Sequence, residues 1–425
     1  MNESFIKNFD ELATTQNRKM ALEIMEAGYS AINTEKVMAS SIHLAGNILS
    51  IKEKEFDLSK FKNIKVVGFG KSSCEAALAL EMILGNKING GVVIGLERID
   101  MKHIKTFAGT HPRPSEANIE AGRKIYELIK KSTEEDLIIV LASGGGSALL
   151  CYPENEYVQG AKLYDRFLKS GKTISEMNII RKHLSLLKGG GLAKVAYPAT
   201  VLGLIFSDVP GSDFASVASG CTYKDTTTME DVKKIIGENN LGDFDLIETP
   251  KEDKYFEKVF NFVVVSNEIA INKMAEKAKE FNLETKIVST ELYDETNIAL
   301  NKIFLAKKEN AVVLAAGEPK IRVEGEKIGK GGRNLHMSLQ TIKNETIDEN
   351  SVFISFASDG MDNSDVAGAI VDKNTIEKVK ELDLKVDDYL ERFDSYNFFQ
   401  KTGDMIFTGP IGANVSDLML LLTKK

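Results

Sequence analysis

Residues 137–150 constrain the fold of this chain more than any other stretch. A continuous apolar run from Leu137 to Ala142 leads directly into three glycines that stand between Ser143 and Ser147. Uninterrupted apolar strands are typical of parallel sheets that are covered on both faces. Ligands of such sheets gather at the carboxyl ends of the strands, where a glycine turn exposes backbone N–H groups to an anion. The segment therefore predicts either a phosphate-binding loop or a tight turn between a strand and a helix.

Similar strand patterns recur along the chain, and helical patterns alternate with them. In the first half we expect strands at 64–70, 90–95, 136–142 and 200–206, and helices from about Ser72, at 116–131 and at 174–187. In the second half we expect strands at 262–265, 312–316 and 352–357, and helices at 269–281 and 374–382. This alternation predicts an α/β fold, with a doubly wound arrangement in the first half.

A polar stretch between residues 222 and 258 separates the two halves. It contains a run of threonines, a lysine-rich helical pattern and many charged residues before an apolar strand pattern restarts. Such composition is typical of a connection between domains. We therefore predict two domains, covering residues 1–240 and 258–425.

Charge and composition narrow the class of protein. The formal net charge is −8, which disfavours general nucleic-acid binding, since phosphate backbones are held by clustered Lys and Arg. No apolar run approaches the length of a membrane span. Cys74, Cys151 and Cys221 are too scattered for a disulfide framework. We expect a cytoplasmic protein with a small-molecule ligand and neither a nucleic-acid nor a membrane partner.

The histidines give no sign of a zinc site. The five histidines show neither HxxxH nor HxxEH spacing. Any metal is therefore expected to be an oxygen-bound ion.

Lys71 stands on the turn after the first predicted strand, in the segment 68–73. A Walker A loop would need glycine where Lys65 stands, and a dinucleotide fingerprint would need glycine where Ser73 stands. Both motifs therefore fail. A lysine at a strand-to-helix turn can still stabilise phosphoryl charge, and the alternative is a solvated surface lysine.

Two segments, 110–116 and 177–191, combine basic residues with prolines or glycines. Prolines stiffen the first, and the second is a helical pattern that ends in three glycines. Helix capping and helix-dipole effects explain part of both patterns. The candidate substrate-binding residues in these segments are His111, Arg181 and His183.

Carboxylates and charged glycine turns follow several other predicted strands. Asp208 and Asp213 come after the strand at 200–206 and suit either Mg²⁺ or the removal of a hydroxyl proton. The alternative there is an Asx turn beside Pro-Gly. In the second half, Glu318, Arg333 and Asp359 stand in comparable turns. Two domains that supply such loops fit phosphoryl transfer, in which positioning and electrostatics do most of the catalysis.

Nine segments together resemble one family. They are GFGKSS, HPRPSEAN, LASGGGSALL, MNIIRKHLSLLKGGGLA, SDVPGSD, AAGEP, GKGGRN, SDGMDNSDVAGA and TGDMIFTGPIGANVSDL. In this order they resemble the type-2 glycerate kinase family, whose carboxyl-terminal portion is called the MOFRL domain. The resemblance implies phosphorylation of D-glycerate to 2-phosphoglycerate, with ATP and Mg²⁺ as cofactors. It also implies a Rossmann-like three-layer N-terminal domain, a smaller α/β C-terminal domain and an active site in the cleft between them.

The resemblance also assigns roles to residues of this sequence. Lys71 and Arg333 match the basic residues expected to stabilise the transferring phosphoryl group. Asp208 is the candidate base and, with Asp359, the candidate metal ligand. The candidate cofactor-binding residues are Ser143, Gly144, Gly145, Gly146, Ser147, Glu318, Gly331, Gly332 and Asn334.

Several positions depart from the family pattern, and they leave the substrate open. Leu335 and His336 replace Gln-Glu after Arg-Asn, and Leu192, Ala316 and Pro319 also differ. Another small hydroxy acid is therefore an alternative substrate. A hydroxypyruvate reductase and a non-catalytic sugar-acid sensor are alternative functions, and a homodimer is an open alternative for the assembly.

Overall fold

The computed structural model describes residues 4–170, 174–211, 213–323, 328–344 and 347–425. The chain divides into two compact units. The first, here the parallel-sheet unit, comprises Thr34–Val209 and Asp213–Val264. The second, here the mixed-sheet unit, comprises the described chain as far as Asn33, Pro210 with Gly211, and the chain from Val265 onward.

Strands and helices alternate along much of the described chain. The strands are β1 (Ile42–Ala45), β2 (Ile48–Ile51), β3 (Lys54–Asp57), β4 (Asn63–Phe69), β5 (Gly90–Gly95), β6 (Ile104–Ala108), β7 (Asp136–Ser143), β8 (Thr200–Phe206), β9 (Val259–Val265), β10 (Glu284–Leu292), β11 (Ala311–Gly317), β12 (Ser351–Ala357), β13 (Gly368–Val371), β14 (Met405–Ile406) and β15 (Asp417–Thr423). The helices are α1 (Phe9–Leu12), α2 (Gln16–Ile32), α3 (Thr34–Ser41), α4 (Ser73–Leu84), α5 (Glu116–Ile129), α6 (Gly146–Leu149), α7 (Glu154–Ser170), α8 (Ile174–Lys182), α9 (Gly191–Ala196), α10 (Met229–Glu238), α11 (Asn267–Glu280), α12 (Thr296–Leu305), α13 (Arg333–Lys343), α14 (Lys373–Glu381), α15 (Val386–Glu391) and α16 (Ser395–Thr402). Short 3₁₀ helices cover Leu58–Lys60, Gly85–Lys87, Phe214–Ser219 and Asp253–Tyr255.

The parallel-sheet unit is built on six strands in the order β6-β5-β4-β7-β8-β9. Strands β6 to β8 pair in parallel. The central strand β7 is buried along its whole length, as the apolar run from Leu137 predicts. Strand β5 has the predicted bounds, and β8 does too. These strands pack against α5 and α9 in one apolar core, which confirms the predicted α/β class. A separate antiparallel sheet, β1-β2-β3, belongs to the same unit.

The mixed-sheet unit is built on six strands in the order β10-β11-β15-β12-β13-β14. Strands β10 and β11 are parallel, whereas β15 runs antiparallel to both of its neighbours. The first residue of β15, Asp417, is therefore paired with Gly317 at the end of β11 and with Ala357 at the end of β12. This register brings the segments that follow β11 and β12 to the edge of the sheet at which β15 begins.

The compact units do not follow the predicted domain bounds of 1–240 and 258–425. Strand β9 lies beside β8 at the edge of the parallel sheet, although its pattern was expected to open the second domain. The polar stretch before it contributes α10, whose Val232 joins a small apolar cluster with Leu163 and Met177. A strand that completes a sheet buries more than a connection would, and the parallel-sheet unit accordingly extends to Val264, one residue before the end of β9.

Helix α2 joins the mixed-sheet unit because of what its buried face contacts. It packs extensively on α11 and also against β12 and β15. Its Arg18 is 1 % exposed, and the Nε and Nη2 atoms each donate to Asp372 at 2.8 Å. The same Nη2 atom donates to Asp404 at 2.9 Å. A buried arginine shared by two carboxylates ties the start of the chain to this unit.

The described residues show no helix of a length and apolarity that would cross a membrane. The three cysteines are free and buried. Burial raises the pKa of Cys74 to about 11 and that of Cys221 to about 12. These thiols are therefore neutral and poorly reactive in the folded protein.

Candidate active site

The glycine turn after β7 is held in place by its own serine. The buried Ser143 hydroxyl accepts a hydrogen bond from the N–H group of Ser72 at 3.2 Å and lies 3.1 Å from the hydroxyl of Ser73. Gly145 has a φ of +76°, in the left-handed region that favours glycine. The Ser147 hydroxyl lies 2.8 Å from that of Ser219. Both predicted cofactor-binding serines thus have hydroxyl partners within the unit.

Lys71 and His111 flank Gly145. The N–H group of Lys71 donates to the carbonyl of Gly144 at 2.8 Å, so the turns after β4 and β7 are hydrogen-bonded to each other. A Cβ atom placed on Gly145 would lie 3.3 Å from Cγ of Lys71 and 3.2 Å from Cδ2 of His111. The structure thus brings together predicted residues from three separate segments. The carboxyl ends of adjacent parallel strands meet at one edge of the sheet, which accounts for this.

Three basic groups share this edge of the parallel-sheet unit. The pKa of His111 is lowered, first by burial and then by the positive charges of Lys71 and Arg181. Arg181 is half-buried at the end of α8, and its Nη1 atom lies 3.4 Å from Oδ1 of Asn178. The charges of Lys71 and Arg181 thus create a positive field at His111, and such a field attracts an anion.

A buried ion pair lies beside Arg181. Glu156 and Lys188 are 4 % and 2 % exposed and are joined by a hydrogen bond. Burial raises the pKa of Glu156, and the charge of Lys188 opposes this rise. Both residues line a small cavity of about 20 Å³ together with Arg181 and Ser147. This volume suits about one water molecule, so a larger ligand would sit outside it.

The structure does not bring His183 to this group. Helix α8 ends at Lys182, and the His183 side chain is fully buried. Its Nδ1 atom lies 3.0 Å from the carbonyl oxygen of Ile179, and its Nε2 atom lies 3.3 Å from Oε1 of Glu248. Because the helix ends earlier than predicted, the His183 side chain contacts Ile179 and Glu248 instead. Its predicted role in substrate binding stays a prediction without structural support.

Asp208 lies against the glycine turn. It follows β8, and a Cβ atom placed on Gly144 would collide with its carboxylate. The candidate base and the candidate anion-binding turn therefore share one site. Ser212, in the same sequence segment, lies outside the described residues.

The mixed-sheet unit contains a cavity of about 550 Å³. Its wall includes five residues singled out from the sequence: Glu318, Gly331, Gly332, Arg333 and Asp359. The remaining wall is partly apolar and includes Ile321, Val323, Ile328, Met361 and Phe393. A concave site with apolar walls and a few charged groups is typical of small-molecule binding.

Arg333 opens α13 and is anchored by a buried carboxylate. Its Nε atom lies 2.6 Å from Oδ2 of Asp417, and its Nη1 atom lies 3.9 Å from Oε2 of Glu318. Burial raises the pKa of Asp417 to about 7, the charge of Arg333 opposes this rise, and the nearby Asp362 adds to it. The guanidinium is one-third exposed, with a side-chain exposure of 32 %. It is therefore held at one end and open at the other.

Asn334 lies behind the cavity rather than in its wall. Its Nδ2 atom donates to Asp362 at 3.0 Å and to Asp417 at 2.9 Å, and its Oδ1 atom accepts from Ser355 at 2.6 Å. Asp362 also accepts from the N–H groups of Asn334 and Leu335, at 3.0 and 2.8 Å, and so caps α13. This side chain positions Asp417, and its predicted contact with the cofactor stays a prediction.

Asp359 lies in the turn after β12. Its carboxylate accepts hydrogen bonds from the N–H group of Met361 at 3.0 Å and from Nδ2 of Asn414 at 3.3 Å. Its place in the cavity wall is compatible with the predicted role in metal binding. Within the described ranges, no three His, Cys, Asp or Glu side chains are grouped as a ready-made metal site.

Two family models match this chain. Residues 20–246 match the family described as a domain of unknown function, DUF4147, and residues 311–417 match the MOFRL family. A glycerate 2-kinase from Pyrococcus horikoshii is 32 % identical, over 95 % of this chain and 97 % of its own length. The chain belongs to the type-2 glycerate kinase family. A glycerate 2-kinase from Sulfurisphaera tokodaii is 36 % identical, over 76 % of this chain and 80 % of its own.

A solved structure of a family member agrees in fold. The crystal structure of the glycerate kinase from Thermotoga maritima matches with a TM-score of 0.83 and 30 % sequence identity, over 95 % of this chain and 99 % of that one. The family and the fold class indicated by the nine segments are thereby confirmed.

Three acidic residues that contact parts of the candidate site were not predicted as site residues from the sequence. Asp417 anchors Arg333, Asp362 caps α13, and Glu156 pairs with Lys188. Asp417 and Asp362 both stand inside segments that carry the family resemblance, which is the signal that points to them. Glu156 lies between two such segments and has no comparable signal.

Proposed function

We propose that this protein transfers the γ-phosphoryl group of ATP to the 2-hydroxyl of D-glycerate and so forms 2-phosphoglycerate. Membership of the glycerate kinase family supports the reaction. The observation that carries the proposal is the cavity of the mixed-sheet unit, in which Arg333, held by the buried Asp417, stands beside an apolar wall.

The size and lining of that cavity support ATP as its ligand. Its volume of about 550 Å³ lies within the range of roughly 300–1,000 Å³ that is usual for small-molecule sites. Ile321, Ile328 and Phe393 offer apolar surface for a base, and Arg333 offers a fork of donors for phosphate oxygens. One cavity thus combines surfaces for the two chemically different ends of a nucleotide.

The positive edge of the parallel-sheet unit supports D-glycerate as its ligand. Lys71, His111 and Arg181 act on the same region, and a small carboxylate there would relieve the repulsion among them. The turn from Ser143 to Ser147, which the sequence analysis assigned to ATP or to substrate phosphate, is proposed here to face the acceptor and its new phosphate group.

The proposed phosphoryl transfer depends on charged side chains that are already in place before the reaction. In the transfer, the 2-hydroxyl oxygen bonds to the γ-phosphorus while the bond from that phosphorus to the leaving oxygen of ADP breaks. Asp208, beside the glycine turn, accepts the hydroxyl proton. Lys71 and Arg333 stabilise the negative charge that develops on the transferring group.

Magnesium bound with the nucleotide would neutralise part of the phosphate charge. Asp359 lines the cavity and would hold the ion there, and Asp208 is the corresponding candidate in the other unit. Magnesium commonly takes one or two carboxylates together with substrate phosphates. The absence of a three-residue cluster in the described part of the chain is compatible with that mode of binding.

Phosphorus NMR tests the proposal directly. The protein is incubated with D-glycerate, ATP and Mg²⁺, and we expect a signal of 2-phosphoglycerate to grow with that of ADP. A signal of 3-phosphoglycerate alone would contradict the acceptor position while keeping the kinase class. Intact ATP in the presence of D-glycerate and of related hydroxy acids would contradict the proposed function.

The reductase alternative meets a packing obstacle in the turn after β4. A dinucleotide fingerprint needs a glycine at the position of Ser73, for close contact between helix and strand. Ser73 is instead fully buried, and its hydroxyl donates to the carbonyl of Leu141 at 3.2 Å. We expect no oxidation of NADH in the presence of hydroxypyruvate, as measured by absorbance.

The free buried cysteines support a reducing compartment. We accordingly propose a cytoplasmic location, with a small molecule rather than a nucleic acid or membrane as partner. Whether the protein forms a homodimer can be tested by sedimentation, and no step proposed above requires a second copy.

A further inference from the structure

The cavity of the mixed-sheet unit has an imidazole in its wall. His336, on the first turn of α13, is 7 % exposed and lines the cavity together with Phe393. The two rings are stacked, with centroids 5.4 Å apart and planes inclined by 22°. His336 is also a position at which this chain departs from the family segment.

The electronic state of this imidazole follows from its surroundings. Burial lowers the pKa of His336 to about 4, so the ring is neutral near pH 7. One ring nitrogen of a neutral imidazole carries a proton and the other accepts one. The Nδ1 atom is buried and has no hydrogen-bond partner among the described residues.

The orphaned Nδ1 atom selects one tautomer. A buried N–H group without a partner is rarer in proteins than an under-satisfied acceptor. The form with the proton on Nε2 is therefore favoured, since it leaves an acceptor rather than a donor unsatisfied. The ring then has a single N–H group, on Nε2, to offer to a ligand in the cavity.

The apolar part of the cavity suits a flat ring system. Val323 and Ile328 are 45 % and 56 % exposed and line the cavity with Ile321. Exposed aliphatic side chains gathered in a concave site mark a surface that a ligand covers. A purine has a flat apolar face and ring nitrogens that accept hydrogen bonds at its edge.

We propose that His336 recognises the base of the phosphoryl donor, with its Nε2–H group donating to a ring nitrogen of a purine that covers Ile321, Val323 and Ile328. The inference rests on the proposed function, because that function places a nucleotide in this cavity. It makes His336 a specificity-determining residue for the donor, with no part in the chemical step.

Two substitutions separate the hydrogen bond from the stacking. His336→Phe keeps an aromatic ring beside Phe393 and removes the donor, whereas His336→Gln keeps an N–H donor. Calorimetry measures the binding of a non-hydrolysable ATP analogue and of tripolyphosphate, which has no base. We expect His336→Phe to weaken binding of the analogue about three- to tenfold, as for one neutral hydrogen bond, and to leave tripolyphosphate unchanged. His336→Gln should stay closer to the wild type than His336→Phe.

Base analogues test the same bond in the unmodified protein, which keeps the inference testable if a variant does not fold. Replacing the contacted ring nitrogen of ATP by carbon should weaken binding by a similar factor, and one of the 1-, 3- and 7-deaza forms should show this loss. Equal affinity for all three deaza forms and for ATP would overturn the inference alone. A wild-type protein that binds neither the ATP analogue nor tripolyphosphate would overturn the nucleotide site itself.

Discussion

The Nε atom of Arg333 lies 2.6 Å from the Oδ2 atom of Asp417, and the two residues are 84 positions apart in the chain. The antiparallel insertion of β15 between β11 and β12 makes this contact, because it places the first residue of β15 beside the turns that follow the other two strands. The arginine is thereby fixed at the cavity before any ligand arrives.

Asp417→Asn should lower activity because it removes the charge that orients Arg333. We expect kcat to fall by about one to two orders of magnitude, within the range found for groups that act through electrostatic positioning. A coupled assay of ADP release measures it. Adding Arg333→Met to this variant should then lower kcat little further. A full additional loss of kcat would show that the two residues act independently.

The same variant should change how stability depends on pH. The pKa of Asp417 is raised from 3.8 to about 7, so the folded protein binds this proton more tightly than the unfolded chain. Its contribution to the free energy of unfolding therefore falls as the pH rises from about 4 to about 7. Asp417→Asn should remove this component, measured by urea unfolding at pH 5 and pH 7.5. An identical pH dependence in both proteins would contradict the raised pKa.

The strands that precede the glycine turns were predictable from sequence, because buried parallel strands have a strong local pattern. The ranges 90–95 and 200–206 match β5 and β8. Lys71 and Asp208 lie just after the carboxyl ends of β4 and β8, as predicted. Asp417 was not predictable in this way, because its role depends on which strands β15 separates. Helix α8 ends before His183, and no local signal indicated that the side chain would turn toward Glu248.

Lys71→Met should reduce kcat by about two to four orders of magnitude, since it removes a charge that stabilises the transferring phosphoryl group. Circular dichroism checks that the variant is folded. Lys87→Met is the matched control, because Lys87 lies in the same unit and its hydrogen bond to Asn47 is exposed. Near-normal turnover of Lys71→Met would remove this lysine from the mechanism.

Gly144→Ala should displace the Asp208 side chain while leaving its carboxylate chemically unchanged. The added Cβ atom would collide with the Asp208 side chain and displace it, so we expect kcat to fall by at least about tenfold if Asp208 accepts the proton. Gly237→Ala, on an exposed turn of α10 with no atom within 4 Å of the added carbon, is the control. If Gly144→Ala and Gly237→Ala were equally active, the position of Asp208 would not matter for catalysis.

D-glycerate should raise the pKa of His111. Burial and the charges of Lys71 and Arg181 lower this pKa in the free protein, and a bound carboxylate would offset the repulsion from both cations. Titration of the His111 ring signals by NMR, with and without D-glycerate, measures the change. Glycerol has no carboxylate and serves as the control. An unchanged titration at saturating D-glycerate would place the acceptor elsewhere.

Arg18→Met should destabilise the protein more than an exposed substitution, because it removes the buried cation that Asp372 and Asp404 share and leaves Asp404 with the partly exposed Lys378, at 3.2 Å, as its remaining cation. Both carboxylates are buried, and Asp404 is fully so. Removal of one partner from a buried ion pair costs about 3–5 kcal/mol of the free energy of unfolding. Urea unfolding followed by circular dichroism measures this loss.

The control for Arg18→Met is Lys273→Met, which breaks an exposed pair with Glu276 in the same unit and should cost less than about 1 kcal/mol. The Asp404→Asn change should recover part of the stability of Arg18→Met, because it removes a buried charge that has lost its main partner. If Arg18→Met alone unfolded at the same urea concentration as Lys273→Met, the ion cluster would not hold α2 to the mixed-sheet unit. Extensive apolar packing of α2 on α11 would then account for that attachment.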